Sequence, residues 1–155
     1  MQLLSSCYLF KGLSEFRLQR LTTITKETPI QKGQWIMLEG KKAEELFIVK
    51  EGTVELMTKV EDDFELPIAM LRNPGECTGT ASLVAPHEYS LSARCEEDGT
   101  MLVIQQEDLK KLIQEDHKLG CIIMENLAQH MLERLKETRD ELKIHFKTLL
   151  KSAHH

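Results

Sequence analysis

Residues 31–56 read QKGQWIMLEGKKAEELFIVKEGTVEL, and the fold turns on how this stretch is parsed. Gly33 and Gly40 bracket a short β-compatible segment, GQWIMLEG. The apolar run Leu46-Phe47-Ile48-Val49 then reaches Glu51-Gly52, which reads as a turn. Beyond it Val54, Leu56, Thr58 and Val60 recur at every second position. Successive side chains of a strand point to opposite faces, so this alternation marks a half-buried strand. Working outward, EDDF is a polar turn into LPIAML and RNPGE is another turn. SLSARC then passes through EEDG, read as a turn, to MLVIQ. Short strands separated by regular turn signals predict an antiparallel sandwich or jelly roll over about residues 29–105.

Both ends read as helical. In SSCYLFKGLSEFRLQRLTTIT, Leu13, Phe16, Leu18, Leu21 and Ile24 follow helical spacing. Ser14 is positioned to cap, because its hydroxyl can accept from an orphan amide of the first turn. Pro29 and Gly33 close this zone. After Gln106, EDLKKLIQED predicts a short helix, and Asp116 can cap a longer one running to about Leu150. Within it Ala128, Met131, Leu135, Thr138, Leu142, His145 and Leu149 form a heptad seam flawed at Thr138 and His145. A helix of about 34 residues reaches roughly 50 Å, beyond the edge of a small β domain. Its distal apolar residues need cover. A second copy of the helix is the simplest partner, with Met131, Leu135 and Leu142 in the seam; the other arrangement folds the helix back on its own domain. The expected division is 1–115 for the β domain with its flanking helices, 116–150 for the long helix, and 151–155 for a tail. His154 and His155 read as remnants of a tag.

Composition narrows the function. The 155 residues are 41% hydrophobic and 29% charged with a net charge of −5, which describes an ordinary soluble domain. No apolar run approaches the roughly 18 residues that span a bilayer. MQLLSSCYLF lacks the basic flank and long apolar stretch of a signal peptide, so no membrane association and a cytoplasmic location are expected. The acidic balance argues against a nucleic-acid partner for this chain. Cys7, Cys77, Cys95 and Cys121 are widely spaced, form no CxxC pair, and read as reduced small hydrophobes. No GxSxG, HExxH or P-loop motif is present. The acidic clusters 61–63 and 96–98 fall in turns. No enzyme activity, catalytic residue, metal or cofactor is implied.

Four stretches carry a resemblance: LFKGLSEFRLQRL, the segment 31–56, NPGECTGTASL (73–83), and the helix after Gln106. Together they resemble the cyclic-nucleotide-binding domain of the catabolite activator protein (CRP/FNR) family. The resemblance covers essentially the whole chain. It implies a mostly β fold: an antiparallel jelly-roll (β-roll) with N-terminal helices and a long C-terminal helix that forms a homodimer. It also implies a small-molecule ligand. Gly75 and Gly79 would let the backbone approach a phosphate at the start of a short helix; the roll itself would require such glycines with or without a ligand.

In family members that bind cyclic nucleotides, the phosphate cassette reads approximately GE-x-A-L, a loop, then R-[ST]-A. The acid holds the ribose and the arginine pairs with the phosphate. Here Gly79-Thr80-Ala81-Ser82-Leu83 places Thr80 where the acid belongs. The usual loop length places Tyr89 where the arginine belongs, with Ser90 as the Ser/Thr. Arg94 lies an odd step from Tyr89, on the opposite face by strand parity. His87 is a poor copy of a guanidinium fork. The expected pocket is therefore Gly75, Gly79, Thr80, Ala81, Ser82, Tyr89 and Ser90, without the cassette's charges. Two lost charged hydrogen bonds cost about 3–6 kcal/mol, or about 10² to 10⁴ in affinity. The resulting expectation is a regulatory ligand-sensing domain with weak or no cAMP or cGMP binding. Two alternatives stay open: a transcription regulator whose DNA-binding domain is absent from this chain, and a haem or redox sensor using Cys77 and His87.

Overall fold

The computed structural model describes residues 2–154. Two short helical segments, α1 (Gln2–Ser5) and a 3-10 turn (Tyr8–Phe10), precede α2 (Glu15–Thr23). Six strands follow: β1 (Thr25–Ile30), β2 (Trp35–Met37), β3 (Glu45–Glu61), β4 (Phe64–Leu71), β5 (Cys77–Thr78) and β6 (Ser92–Gln105). A second 3-10 turn (Thr80–Leu83) separates β5 from β6, and α3 (Gln106–Glu115) and α4 (His117–Ala153) close the chain. The main sheet runs β1-β6-β3-β4, with β2 on β6 and β5 on β3, all antiparallel. This is the antiparallel β-roll with flanking helices that the sequence implies.

The stretch 31–56 shows why β3 organises the molecule. Its alternation splits the interior in two. Leu46 and Ile48 join a helical core with Leu9, Phe10, Leu21, Leu109, Leu119 and Ile123. Phe47 and Val49 point the other way, into the roll with Val54, Leu71, Ala93 and Met101. β6 does the same, giving Leu102 and Ile104 to the first core and Met101 and Val103 to the second. One strand pair thus serves as the wall between roll and helices.

Contrary to the reading of their composition as turns, Glu51-Gly52 and the EEDG segment do not reverse the chain. β3 and β6 each continue through these residues, with register shifts around Glu51–Val54. The two bends are stacked: a Cβ on Gly52 (φ +94°) would sit 2.7 Å from the Glu97 carbonyl oxygen, and one on Gly99 would run into the Glu51 carbonyl. Glycine here lets two paired strands bend together without separating. Pro29 likewise sits inside β1 and does not end the helical zone; β1 pairs only with β6, so its missing N–H can face away from the ladder.

Ser14 caps α2 through the Arg17 amide at 3.3 Å. Phe16 is 69% exposed, outside the core its spacing suggests. Asp116 caps α4 by accepting from Leu119 N–H and also receives Arg17 Nε at 2.7 Å. That ion pair holds the Asp116 carboxyl below its usual range. Leu119, Ile123 and Leu127 bury the first turns of α4, and Asn126 Nδ2 donates to the Leu9 and Lys11 carbonyls at 2.8 and 2.9 Å. From Met131 to His154 every residue is exposed. Cys7 and Cys95 are buried, Cys77 half-buried and Cys121 exposed; all four are free thiols. No helix among the described residues is long and apolar enough to cross a membrane.

Candidate ligand cavity

The loop between β4 and β6 builds one side of the site. Asn73-Pro74-Gly75 turns the chain, and the Glu76 carboxylate closes that turn by accepting from the Arg72 and Asn73 amides at 3.1 and 2.8 Å. Gly75 (φ +97°) lies against Ser6, whose hydroxyl occupies the space a Cβ would need. Its N–H donates to the Val49 carbonyl, and that of Glu76 to Asn73. Gly79 (φ +85°) precedes the 3-10 turn and passes so close to β3 that a Cβ would sit 2.7 Å from the Glu45 carbonyl oxygen. Ser82 is buried and its hydroxyl donates back to the Gly79 carbonyl at 2.7 Å.

A cavity of about 570 Å³ opens beside this loop. Ser6 and Tyr8 line it from the N-terminal segment, Leu56 and Ile68–Leu71 from β3 and β4, and Pro74–Thr78 from the loop. Thr80, Ser90 and Leu91 continue the wall, and His130, Met131 and Arg134 of α4 complete it. Of the residues expected at the site, Gly75, Thr80 and Ser90 line this cavity, together with Met131 from the expected seam. Gly79, Ala81 and Ser82 shape the adjoining turn and are not on the wall. Leu135 and Leu142 lie farther along α4, exposed.

Tyr89 departs from its expected place. It is buried in the roll, its ring 6.5 Å from that of Phe47. Its hydroxyl accepts from Glu45 N–H at 3.2 Å and donates to the Glu45 carbonyl at 3.0 Å. Burial pushes the phenol above its usual pKa. The next two residues, Ser90 and Leu91, form a bend before β6 and do line the cavity. The residue that loop length places at the arginine's position therefore packs in the roll and not on the cavity wall.

The two substitute cations considered from sequence are engaged elsewhere. Arg94 pairs with Glu96 at 3.1 Å and Glu55 at 3.6 Å and lies 5.2 Å over the Trp35 ring. His87 Nδ1 is 3.1 Å from the Ser82 carbonyl and also meets Gln106. Cys77 keeps its proton above the usual thiol range through its hydrogen bond with Cys7 and its burial. His87 and Cys77 thus engage different partners, and among the described residues no three His, Cys, Asp or Glu side chains group as a metal site. Sequence reasoning missed the α4 contribution. His130 stacks on Tyr8 with ring centroids 3.9 Å apart and is held below its usual pKa, first by burial and then by the Arg134 charge. Their i, i+4 spacing on the face away from Leu135 was the available signal.

A family model described as the cyclic nucleotide-binding domain matches residues 27–116. This chain belongs to the cyclic nucleotide-binding domain family. The domain is 30% identical over 112 residues to the Drosophila melanogaster cGMP-dependent protein kinase, isozyme 2 forms cD5/T2, covering 71% of the chain and 12% of the kinase. It is 27% identical over 123 residues to the anaerobic regulatory protein of Bacillus subtilis, covering 79% of the chain and 51% of that protein. The crystal structure of the Thermus thermophilus catabolite activator protein superposes with a TM-score of 0.75 at 29% identity, covering 88% of this chain and 62% of that one. The domain therefore spans from an eighth to about half the length of these two curated relatives. Its fold is that of the regulatory domains of catabolite-activator-type proteins.

Proposed function

We propose that this domain is a regulatory ligand sensor whose cassette lacks the charged pair used for cyclic nucleotides, so that it binds cAMP and cGMP weakly or not at all. The observation that carries this reading is the make-up of the cavity wall beside the loop. Thr80 and Ser90 stand there, while Arg94 is tied to Glu55 and Glu96. The Gly75 and Glu76 amides are already committed to the Val49 and Asn73 carbonyls. A cyclic phosphate entering at the loop would meet neither these two amides nor Arg94; among the described residues the wall's one guanidinium, Arg134, comes from α4 and not from the cassette. Calorimetry should find cAMP and cGMP dissociation constants weaker than about 100 μM. Low-micromolar binding would overturn the reading.

The sensor works as a homodimer through α4. At 100° per residue, Met131, Leu135, Leu142, Phe146 and Leu149 fall within roughly 60° of one another on the helix. Leu119, Ile123 and Leu127, which bury against the domain, lie on a different arc. The apolar band thus turns off the domain's own surface once α4 leaves it, and all five of its residues are exposed. Phe146 fills the place where His145 breaks the heptad, which suits a partner helix.

A second reading makes the domain the sensing half of a transcription regulator. It is supported by likeness to the Bacillus subtilis anaerobic regulatory protein and the Thermus thermophilus catabolite activator protein, of which the domain spans 51% and 62%. The length of the complete reading frame distinguishes the two.

A further inference from the structure

We infer that the cavity recognises a small aromatic monoanion, a carboxylate or sulfonate on a flat apolar body, with its charge met by Arg134 of α4 and not by the loop. The inference deepens the sensor reading and rests on it. Among the described residues, Arg134 is the one Lys or Arg on the cavity wall. Its ion pair is with Glu137, one turn along the same exposed face, at 3.4 Å. Such a pair is weak and easily exchanged. A guanidinium presents parallel N–H donors that match both oxygens of a carboxylate or sulfonate.

The wall is polarised. Glu76, its one acid among the described residues, is fixed at the loop end by the Arg72 and Asn73 amides, so negative charge is unwelcome there. Arg134 stands on the helix side. Between them the surface is mainly apolar, from Leu56, Ile68 and Leu71 to Leu91 and Met131. An anion thus sits toward the helix, with its ring against β4 and Leu91. Tyr8 and His130, stacked on one another, add aromatic atoms to the wall on the helix side. This orientation places the charge at the helix, opposite to the loop whose amides are already committed.

The test compares two fluorescent probes on the full chain. 1-Anilinonaphthalene-8-sulfonate and N-phenyl-1-naphthylamine share a ring system, and only the first carries a charge. The sulfonate should bind about tenfold more tightly, and Arg134→Gln should remove most of that preference while leaving the neutral probe unchanged. Arg134→Lys should give an intermediate preference. Ser90→Trp, which fills the cavity, should abolish binding of both. The inference is overturned if the neutral probe binds as tightly as the sulfonate, or if Arg134→Gln alters both equally or neither. Sulfonate binding that survives Ser90→Trp would also overturn it, since the probe would then lie on the exposed face of α4. Low-micromolar cAMP binding, in contrast, strikes the sensor reading and not the Arg134 pairing.

Discussion

Restoring the cassette's charges calls for Thr80→Glu together with Ser90→Arg. Both positions line the cavity, so the acid can reach a ribose hydroxyl and the guanidinium a cyclic phosphate. Each charged hydrogen bond is worth about 1.5–3 kcal/mol, which would give about 10²- to 10⁴-fold for the pair. Two features of the wall reduce that gain: the new acid shares the cavity with Glu76 and the new arginine shares it with Arg134. A gain of at least about tenfold in cAMP affinity is therefore expected by calorimetry, with each single change giving less. The control is Thr80→Glu with Tyr89→Arg, the pair suggested by loop length alone. Tyr89 is buried and holds both backbone groups of Glu45. A guanidinium there loses those bonds and is desolvated, at a cost of at least about 3 kcal/mol. In a chain of this size that lowers Tm by about 6–12 °C, with no gain in cAMP binding. A folded Thr80→Glu, Ser90→Arg protein with unchanged affinity would refute the reasoning, as would a stable Tyr89→Arg variant that gains it.

Leu135→Glu with Leu142→Glu should convert the homodimer to monomers in sedimentation while leaving the roll's melting unchanged, because both residues are exposed; a natural chain that is monomeric at tens of micromolar (about the range of transient association) rejects the seam. Burial, with the Arg134 charge, lowers the His130 pKa in the folded state, so the unfolded chain takes up its proton first as pH falls below about 6.5. Stability should therefore decline from pH 6.5 downward, until the folded state protonates too, and a His130→Gln variant should show a flatter Tm profile between about pH 7.5 and 5. Gly52→Ala forces a Cβ to within 2.7 Å of the Glu97 carbonyl at φ +94°; a loss of at least about 2 kcal/mol is expected, measurable by urea denaturation.

The roll was legible because its information is local. The EDDF hairpin and the Ser14 and Asp116 caps depend on nearest neighbours, and each is realised; the alternation along Val54–Val60 is not, since Met57 is buried and Val60 exposed. What misled was bending. A glycine in an extended run has the same composition whether the chain reverses or two paired strands curve together; only the opposing strand, Gly99 against Gly52, decides. The site was legible in its loop and not beyond. Thr80 and Gly75 follow from the NPG and GTASL pattern, but Tyr89 and Ser90 differ by one residue, and that residue separates core from cavity. His130 and Arg134 arrive from α4, 40 and 44 residues downstream of Ser90; their i, i+4 spacing marks a shared helix face but not what that face meets.

The clamp that Asn126 places on the Leu9 and Lys11 carbonyls makes α4 a lever with a fixed fulcrum. Arg134 is eight residues along the arm and Ala153 twenty-seven, or about 12 Å and 40 Å at 1.5 Å per residue. If the arm stays stiff, a ligand that draws Arg134 inward by 1 Å swings the tip by roughly 3 Å. A contact made inside the cavity is thereby converted into a larger displacement at the far end of the helix, with Asn126 setting the mechanical advantage.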